Sequence, residues 1–339
     1  MRVTTDWQSG NDGSTTMKRV PIERRDLRGD DIAVRVDYCG VCHSDLHRIR
    51  GLLREGAIVP GHEFTGTVTG LGTDVAGFAQ GDRVAVGTLV DSCGTCPMCQ
   101  AGQENYCYEG PVSTYSATAQ GGYSREYVLR ERFAYPLPDG LEAAAAAPLM
   151  CAGITMWEPM RAAGVGPGTR VAVAGLGGLG HLGVKLAVAL GAEVTVLSRS
   201  PGKAADAIKL GAGGLLLTTD ETQMRQSRGR FDLILDTIAA QHDFSPLLHL
   251  LGLDGTLSVL GNPLPAQVPI TALTMGRKKL TSSGTGGRKH TAEMLAFCAE
   301  RGIAADIELM ASARVQEALT RLDQGDVRYR FVLDLSDLD

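Results

Sequence analysis

Residues 170–203 read RVAVAGLGGLGHLGVKLAVALGAEVTVLSRSPGK, and this stretch decides the fold of the second half of the chain. Arg170–Ala174 is an apolar run of strand character that ends in Gly175, Leu176, Gly177, Gly178, Leu179 and Gly180. Helical residues continue through Leu190, and a second apolar run, Glu193–Leu197, follows. Strand, glycine turn, helix and strand in this order make a βαβ unit. Gly175 permits the tight turn, Gly177 lets the backbone approach a pyrophosphate, and Gly180 lets helix lie against strand. The helix N-terminus then offers free N–H groups and a partial positive charge to phosphates. At the end of the second strand, NAD binders place a carboxylate that accepts from the ribose 2′-hydroxyl. This chain has Ser198, Arg199 and Ser200 there, with Lys203 three residues on. Two cations and two hydroxyls suit a 2′-phosphate, so NADP(H) is the expected cofactor.

Outward from this unit, the segments PGKAADAIKLGA, FDLILDT, a helix near SPLLHLLG and GTLSVLG continue the alternation, which predicts a doubly wound parallel sheet. Upstream, residues 19–140 read instead as short strands broken by Gly, Pro and Asp, such as DDIAVRVDYCG, FTGTVTGLG and GDRVAVGTLV. After Ser283 the chain offers one more helix, about His290–Arg301, and then IELM and YRFVLDL as strands that can close the first domain. The expected division is residues 1–150 with 285–339, and residues 151–284, in a two-domain α/β protein. The first 18 residues show no clear opening strands.

Composition narrows the function. Of 339 residues, 44% are hydrophobic and 21% charged, which excludes a disordered chain. The net charge is −5 and no basic run stands out, so neither a nucleic acid nor a membrane surface is an expected partner. The longest weakly polar stretch, 143–154, is short of the roughly 20 residues that span a bilayer. The N-terminus lacks a signal-peptide pattern, so a cytoplasmic location is expected, where disulfides are rare. The eight cysteines then need another task.

Four of them, Cys93, Cys96, Cys99 and Cys107, fall within one short loop. Paired C-x2-C hooks let thiolates reach one ion from a tight turn, and four thiolates close a tetrahedral structural zinc site. Cys42 in CGVCHSDLH, His62 in PGHE and Cys151 in PLMCAG are dispersed. As a group they match an open catalytic zinc; singly, each is more often a buried bystander than a ligand. Cys39 reads as a strand residue next to the turn that carries Cys42.

CGVCHSDLH, PGHE, the cysteine loop ending in ENYC, GGYSREYV, PLMCAGIT, GLGGLGHLGVK and DVRYRFVLD together resemble the zinc-dependent medium-chain alcohol dehydrogenases, most closely the cinnamyl-alcohol-dehydrogenase branch. The resemblance spans roughly residues 20–336. It implies a GroES-like β-rich catalytic domain plus a Rossmann domain, two Zn²⁺ per chain, a homodimer, and interconversion of aldehydes and primary alcohols. It also implies roles. Cys42, His62 and Cys151 would be the catalytic zinc ligands, with Glu63 beside them and Asp45 orienting His62. Ser44 would bind the substrate oxygen and begin a proton relay that His47 completes, and Arg328 would contact the pyrophosphate. Ser113, Thr114 and Tyr115, and Thr285, Gly286 and Gly287, depart from the bulkier residues of many relatives, which predicts a wider substrate pocket. NADP(H) preference points toward aldehyde reduction. The competing readings are a reductase of a conjugated C=C or iminium bond, and a zinc-ribbon module sensing redox state.

Overall fold

The computed structural model describes residues 2–10, 14–50, 57–116, 120–263, 265, 267–268 and 270–338. The chain divides into two compact units, one of Met1–Cys151 with Gly286–Asp339 and one of Ala152–Thr285. Each crossing lies one residue later than the expected boundary, which leaves Cys151 in the same unit as Cys42 and His62.

In chain order the strands are β1 (Arg2–Ser9), β2 (Met17–Arg24), β3 (Asp31–Val41), β4 (Phe64–Leu71), β5 (Arg83–Val86), β6 (Leu89–Asp91), β7 (Val112–Ser113), β8 (Glu126–Arg130) and β9 (Ala134–Pro136). The second unit holds β10 (Arg170–Ala174), β11 (Glu193–Ser198), β12 (Gly214–Leu217), β13 (Phe231–Asp236), β14 (Leu251–Val259) and β15 (Lys279–Thr281). The tail adds β16 (Ile307–Ala311) and β17 (Arg330–Asp334).

The first unit is organised by β3, the longest strand. Its sheet runs β16-β17-β3-β4-β5-β9, and β8 also pairs with β3. The tail strand β17 lies antiparallel to β3, with Leu333 opposite Cys39. The C-terminal tail therefore completes the first unit. Ile32, Val34, Val36, Phe64, Tyr127, Phe133 and Phe331 fill the core between these strands. Burying each such side chain contributes about 1.5–3 kcal/mol relative to exposure.

Two expectations need correction here. The first 18 residues do carry an opening strand, β1, and the start of β2, paired antiparallel from Arg2↔Arg24 to Ser9↔Met17. The hairpin escapes a hydrophobic reading because Thr4, Asp6 and Ser9, its inward residues, are polar. Asp6 Oδ2 accepts from Arg24 Nη2 at 3.2 Å, and both residues are buried. A second tail helix, Val315–Asp323, lies between β16 and β17, where only strands were expected. Its buried residues Val315, Ala318, Leu319 and Leu322 keep helical spacing, so the signal was present in the sequence.

The second unit is a six-stranded parallel sheet in the order β12-β11-β10-β13-β14-β15, the doubly wound arrangement. Among the described residues no helix is long and apolar enough to cross a membrane.

Candidate active site

The metal cluster begins at a helix N-terminus. Cys42 has extended backbone (φ −120°, ψ 154°) and stands at the N-cap of the helix His43–Ile49. Asp45, at the third helical position, turns back so that Oδ2 accepts the Cys42 N–H at 2.9 Å. This is the geometry of a capping box, built with a Cys-x-x-Asp sequence. The other carboxylate oxygen, Oδ1, accepts the Gly61 N–H at 2.9 Å and lies 3.1 Å from His62 Nδ1. Tyr123 Oη donates to Oδ2 at 3.3 Å. One fully buried carboxylate thus ties together the Cys42 turn, the Gly61 turn and the His62 ring. With Nδ1 donating to Asp45, the lone pair of His62 Nε2 is left free to bind a metal, and Nε2 lies 3.2 Å from Cys151 Sγ.

The ligand atoms of Cys42, His62 and Cys151 lie within 4.8 Å of one another, and all three residues are buried. The hydrogen bond from Cys151 draws Cys42 well below the usual thiol range, and the same contact pushes Cys151 well above it. Two sulfurs and an imidazole in a buried pocket need a cation before both sulfurs can be thiolates, and this donor set fits Zn²⁺ with one coordination position open. Cys39 is not among the three: it is buried within β3, its thiol pushed well up by burial.

Glu63 sits next to His62 and is fully buried, with Oε1 3.3 Å from Arg330 Nη1. Burial holds its carboxyl up at about 8, against the opposing pull of Arg330. Arg330 also donates to the Val41 carbonyl at 3.4 Å. Arg330 was not singled out from the sequence; Arg328, two residues before it, is the residue expected at the pyrophosphate. Arg328 precedes β17 in the first unit, and its N–H donates to Glu308 at 2.9 Å. Period-two counting along β17 gave no warning, because Arg330 through Val332 are all buried.

Ser44 and His47 both lie half-buried on the helix His43–Ile49, three residues apart and therefore on one face. Tyr115, expected from the sequence only as pocket lining, meets the His62 ring edge-on with centroids 4.7 Å apart. Beside it, Thr114 is buried and its hydroxyl bonds the Gly87 carbonyl. The stretch expected to open a wider pocket thus sets a tyrosine ring against His62.

The second cluster, Cys93, Cys96, Cys99 and Cys107, also brings its ligand atoms within 4.8 Å. Cys93 Sγ accepts the Cys96 N–H at 3.3 Å and the Thr95 N–H at 3.5 Å, and these donors draw its thiol down to about 6. Burial pushes Cys99 up to about 11. Four sulfurs with no vacant corner fit a closed, structural ion. The loop is anchored on the tail: Glu104, buried, accepts the Arg288 N–H at 2.9 Å at the start of the helix Arg288–Arg301.

In the second unit, Gly175 has φ +93° and its N–H bonds Leu197 O at 3.0 Å, linking the glycine turn to β11. Gly178 and Leu179 complete the turn before the helix Gly180–Ala189. A cavity of about 670 Å³ opens beside it, bordered by Gly175, Ser198, Arg199, Ser200, Lys203 and His242. Arg199 and Ser200 are exposed, Ser198 is half-buried, and Lys203 Nζ donates to Leu176 O at 3.0 Å, reaching back onto the glycine turn. No carboxylate stands at the end of β11. Asp243, on the cavity wall, is engaged with Ser245. This lining fits the adenosine end of a dinucleotide carrying a 2′-phosphate. Cys298 is a core residue, with Sγ 3.6 Å from Met294 Sδ, while His290 contacts Gln103 and His242 pairs with Asp236 at 2.9 Å.

Two family models match the chain: the alcohol dehydrogenase GroES-like domain over residues 28–139 and the zinc-binding dehydrogenase over residues 178–300. The chain is 45% identical over 331 residues to the NADP-dependent alcohol dehydrogenase C of Mycobacterium tuberculosis, covering 95% of this chain and 96% of that protein. A solved cinnamyl alcohol dehydrogenase of Sorghum bicolor superimposes with a TM-score of 0.95 at 40% identity, covering 98% of each chain. One from Helicobacter pylori, complexed with NADP(H), gives 0.91 at 32% identity with the same coverage.

Proposed function

The chain belongs to the zinc-binding alcohol dehydrogenase family, and from that membership we propose how its own residues serve the interconversion of aldehydes and primary alcohols with NADP(H). When bound, zinc supplies a Lewis acid for the substrate oxygen, and NADP(H) supplies or accepts the hydride. Cys42, His62 and Cys151 hold the catalytic ion, and Cys93, Cys96, Cys99 and Cys107 a second, structural one, two per chain. Asp45 fixes the His62 tautomer, and through its bonds to Cys42 and Gly61 it fixes the turns that carry the ligands. Glu63 and Arg330 form a buried hydrogen-bonded pair beside the ligands.

Ser44 donates the proton that the nascent alcohol oxygen requires, and His47, on the same helix face, replenishes it from solvent. Gly175, Gly177, Gly178, Leu179 and Gly180 receive the pyrophosphate, with Arg328 as a further contact. Ser198, Arg199, Ser200 and Lys203 bind the 2′-phosphate. A cofactor kept largely reduced in cells favours aldehyde reduction. The enzyme acts in the cytoplasm, where reduced cysteines remain available as ligands, and works as a homodimer.

The observation that carries this reading is the convergence of Cys42, His62 and Cys151 on one buried point. Steady-state kcat/KM for an aldehyde panel with NADPH and with NADH tests it. NADPH should be preferred, and replacing Arg199 with Asp and Lys203 with Ala should move the ratio toward NADH by about 10-fold or more, the weight of one or two charge-assisted contacts. Preference for NADH in the unmodified enzyme would contradict the assignment of Arg199 and Lys203.

A further inference from the structure

Part of the wall of the cavity in the second unit is the loop that follows β13: Ile238, Ala240, Gln241 and His242 all border the cavity. The last residue of β13 fastens both ends of this loop with one carboxylate. Asp236 is fully buried; its Oδ1 accepts the Ile238 N–H at 3.1 Å, and its Oδ2 lies 2.9 Å from His242 Nε2. The other ring nitrogen, Nδ1, lies 2.9 Å from the Ala240 carbonyl oxygen. A carbonyl only accepts, so Nδ1 carries a hydrogen, and a further proton between Nε2 and Oδ2 completes the second bond. His242 and Asp236 together then bring no net charge to the wall. Burial pushes the Asp236 carboxyl up, and the adjacent ring draws it back down. Phe244 meets the His242 ring edge-on, with centroids 5.1 Å apart. At its start the loop is seated where the glycine turn begins: Thr237 Oγ1 donates to the Ala174 carbonyl at 2.8 Å.

We propose that His242 is a positioning residue for the cofactor: by bridging Asp236 and the Ala240 carbonyl, it holds residues 237–241 in the shape that receives the adenosine half of the dinucleotide. This rests on the reading of the cavity as the dinucleotide site. Residues 237–241 lie outside helix and strand, so without the bridge their freedom has to be lost again each time the cofactor binds. A buried ionic pair adds little stability over an apolar pair of similar volume, so stability alone does not account for this one. What the imidazole adds is direction, because its two nitrogens meet two acceptors at a fixed angle within one loop.

The test measures calorimetric binding of 2′,5′-ADP and of NADPH, with steady-state benzaldehyde reduction, in the unmodified zinc-loaded enzyme, in His242→Ala and in the double variant His242→Ala with Asp236→Asn. The double variant removes the buried carboxylate that the single one strips of its ring, and it serves if the single one does not fold. Both variants should bind 2′,5′-ADP and NADPH about 10-fold more weakly, the cost of ordering a short loop on binding. The kcat/KM for NADH should fall by the same factor as that for NADPH. At saturating NADPH, kcat and the KM for benzaldehyde should change less than about 3-fold. Unchanged 2′,5′-ADP binding in a folded variant would overturn the proposal. So would a loss confined to NADPH, which would make His242 a contact of the 2′-phosphate, or a fall in kcat with the cofactor KM unchanged. If the unmodified enzyme bound neither 2′,5′-ADP nor NADPH, the reading of the cavity would fall and the proposal with it. Equal binding by all three proteins would remove only the role of His242.

Discussion

Asp45 organises the site more than any ligand does. Its two oxygens serve the Cys42 and Gly61 N–H groups, the His62 ring and the Tyr123 hydroxyl, with no exposure to water. Replacing it with Asn keeps the volume but turns one acceptor into a donor facing N–H groups. Asp45→Asn should weaken zinc at the catalytic site by about 10- to 100-fold, as loss of a ligand's hydrogen-bonded support does elsewhere. Competition of the purified protein against a chelator reads this directly: one ion per chain should leave early while the ion of the four-cysteine loop stays. Equal retention of both would contradict the role given to Asp45. This residue was legible only through the family resemblance of CGVCHSDLH, which implies a carboxylate that orients His62. Tyr123 and Arg330 were not: the Tyr123 N–H bond to the Pro60 carbonyl and the pairing of β17 with β3 join them to the site, and side chains far apart in sequence announce no such partnership.

Among elements, the glycine turn separates two effects that sequence alone merges. A Cβ added at Gly177 would meet nothing within 4 Å, whereas one at Gly180 would fall 2.0 Å from the Gly175 carbonyl oxygen. Gly177→Ala should therefore fold with an unchanged Tm yet bind NADPH at least about 10-fold more weakly, because the methyl occupies the pyrophosphate's approach. Gly180→Ala should also lower stability, by about 1–3 kcal/mol, because backbone must move to admit the methyl. Thermal unfolding beside NADPH titration distinguishes them, and equal destabilisation by both would contradict this account of the turn. The turn was readable because each glycine answers a local backbone demand. The β1–β2 hairpin was not, because its inward side is held by the Asp6–Arg24 pair and not by an apolar stripe. The helix Val315–Asp323 shows a third case: its apolar spacing is regular, yet the stretch between the two expected strands was given no element.

At the scale of the molecule, each unit has its own hydrophobic core. The first is assembled from both ends of the chain, so its metal-binding residues depend on strand pairings that close only when the tail returns. The boundary near Pro148 was legible as a change of rhythm, from short strands broken by turn residues to apolar strands alternating with helices. What the sequence made plain was the donor types and their order; what it could not give was their meeting in space. Zinc analysis of the unmodified protein and of Cys151→Ser, with aldehyde reduction and NADPH binding measured on the same samples, tests that meeting most directly. The account predicts two ions per chain falling to near one in the variant, with turnover abolished and NADPH affinity unchanged. A variant that keeps both ions and its activity would contradict it.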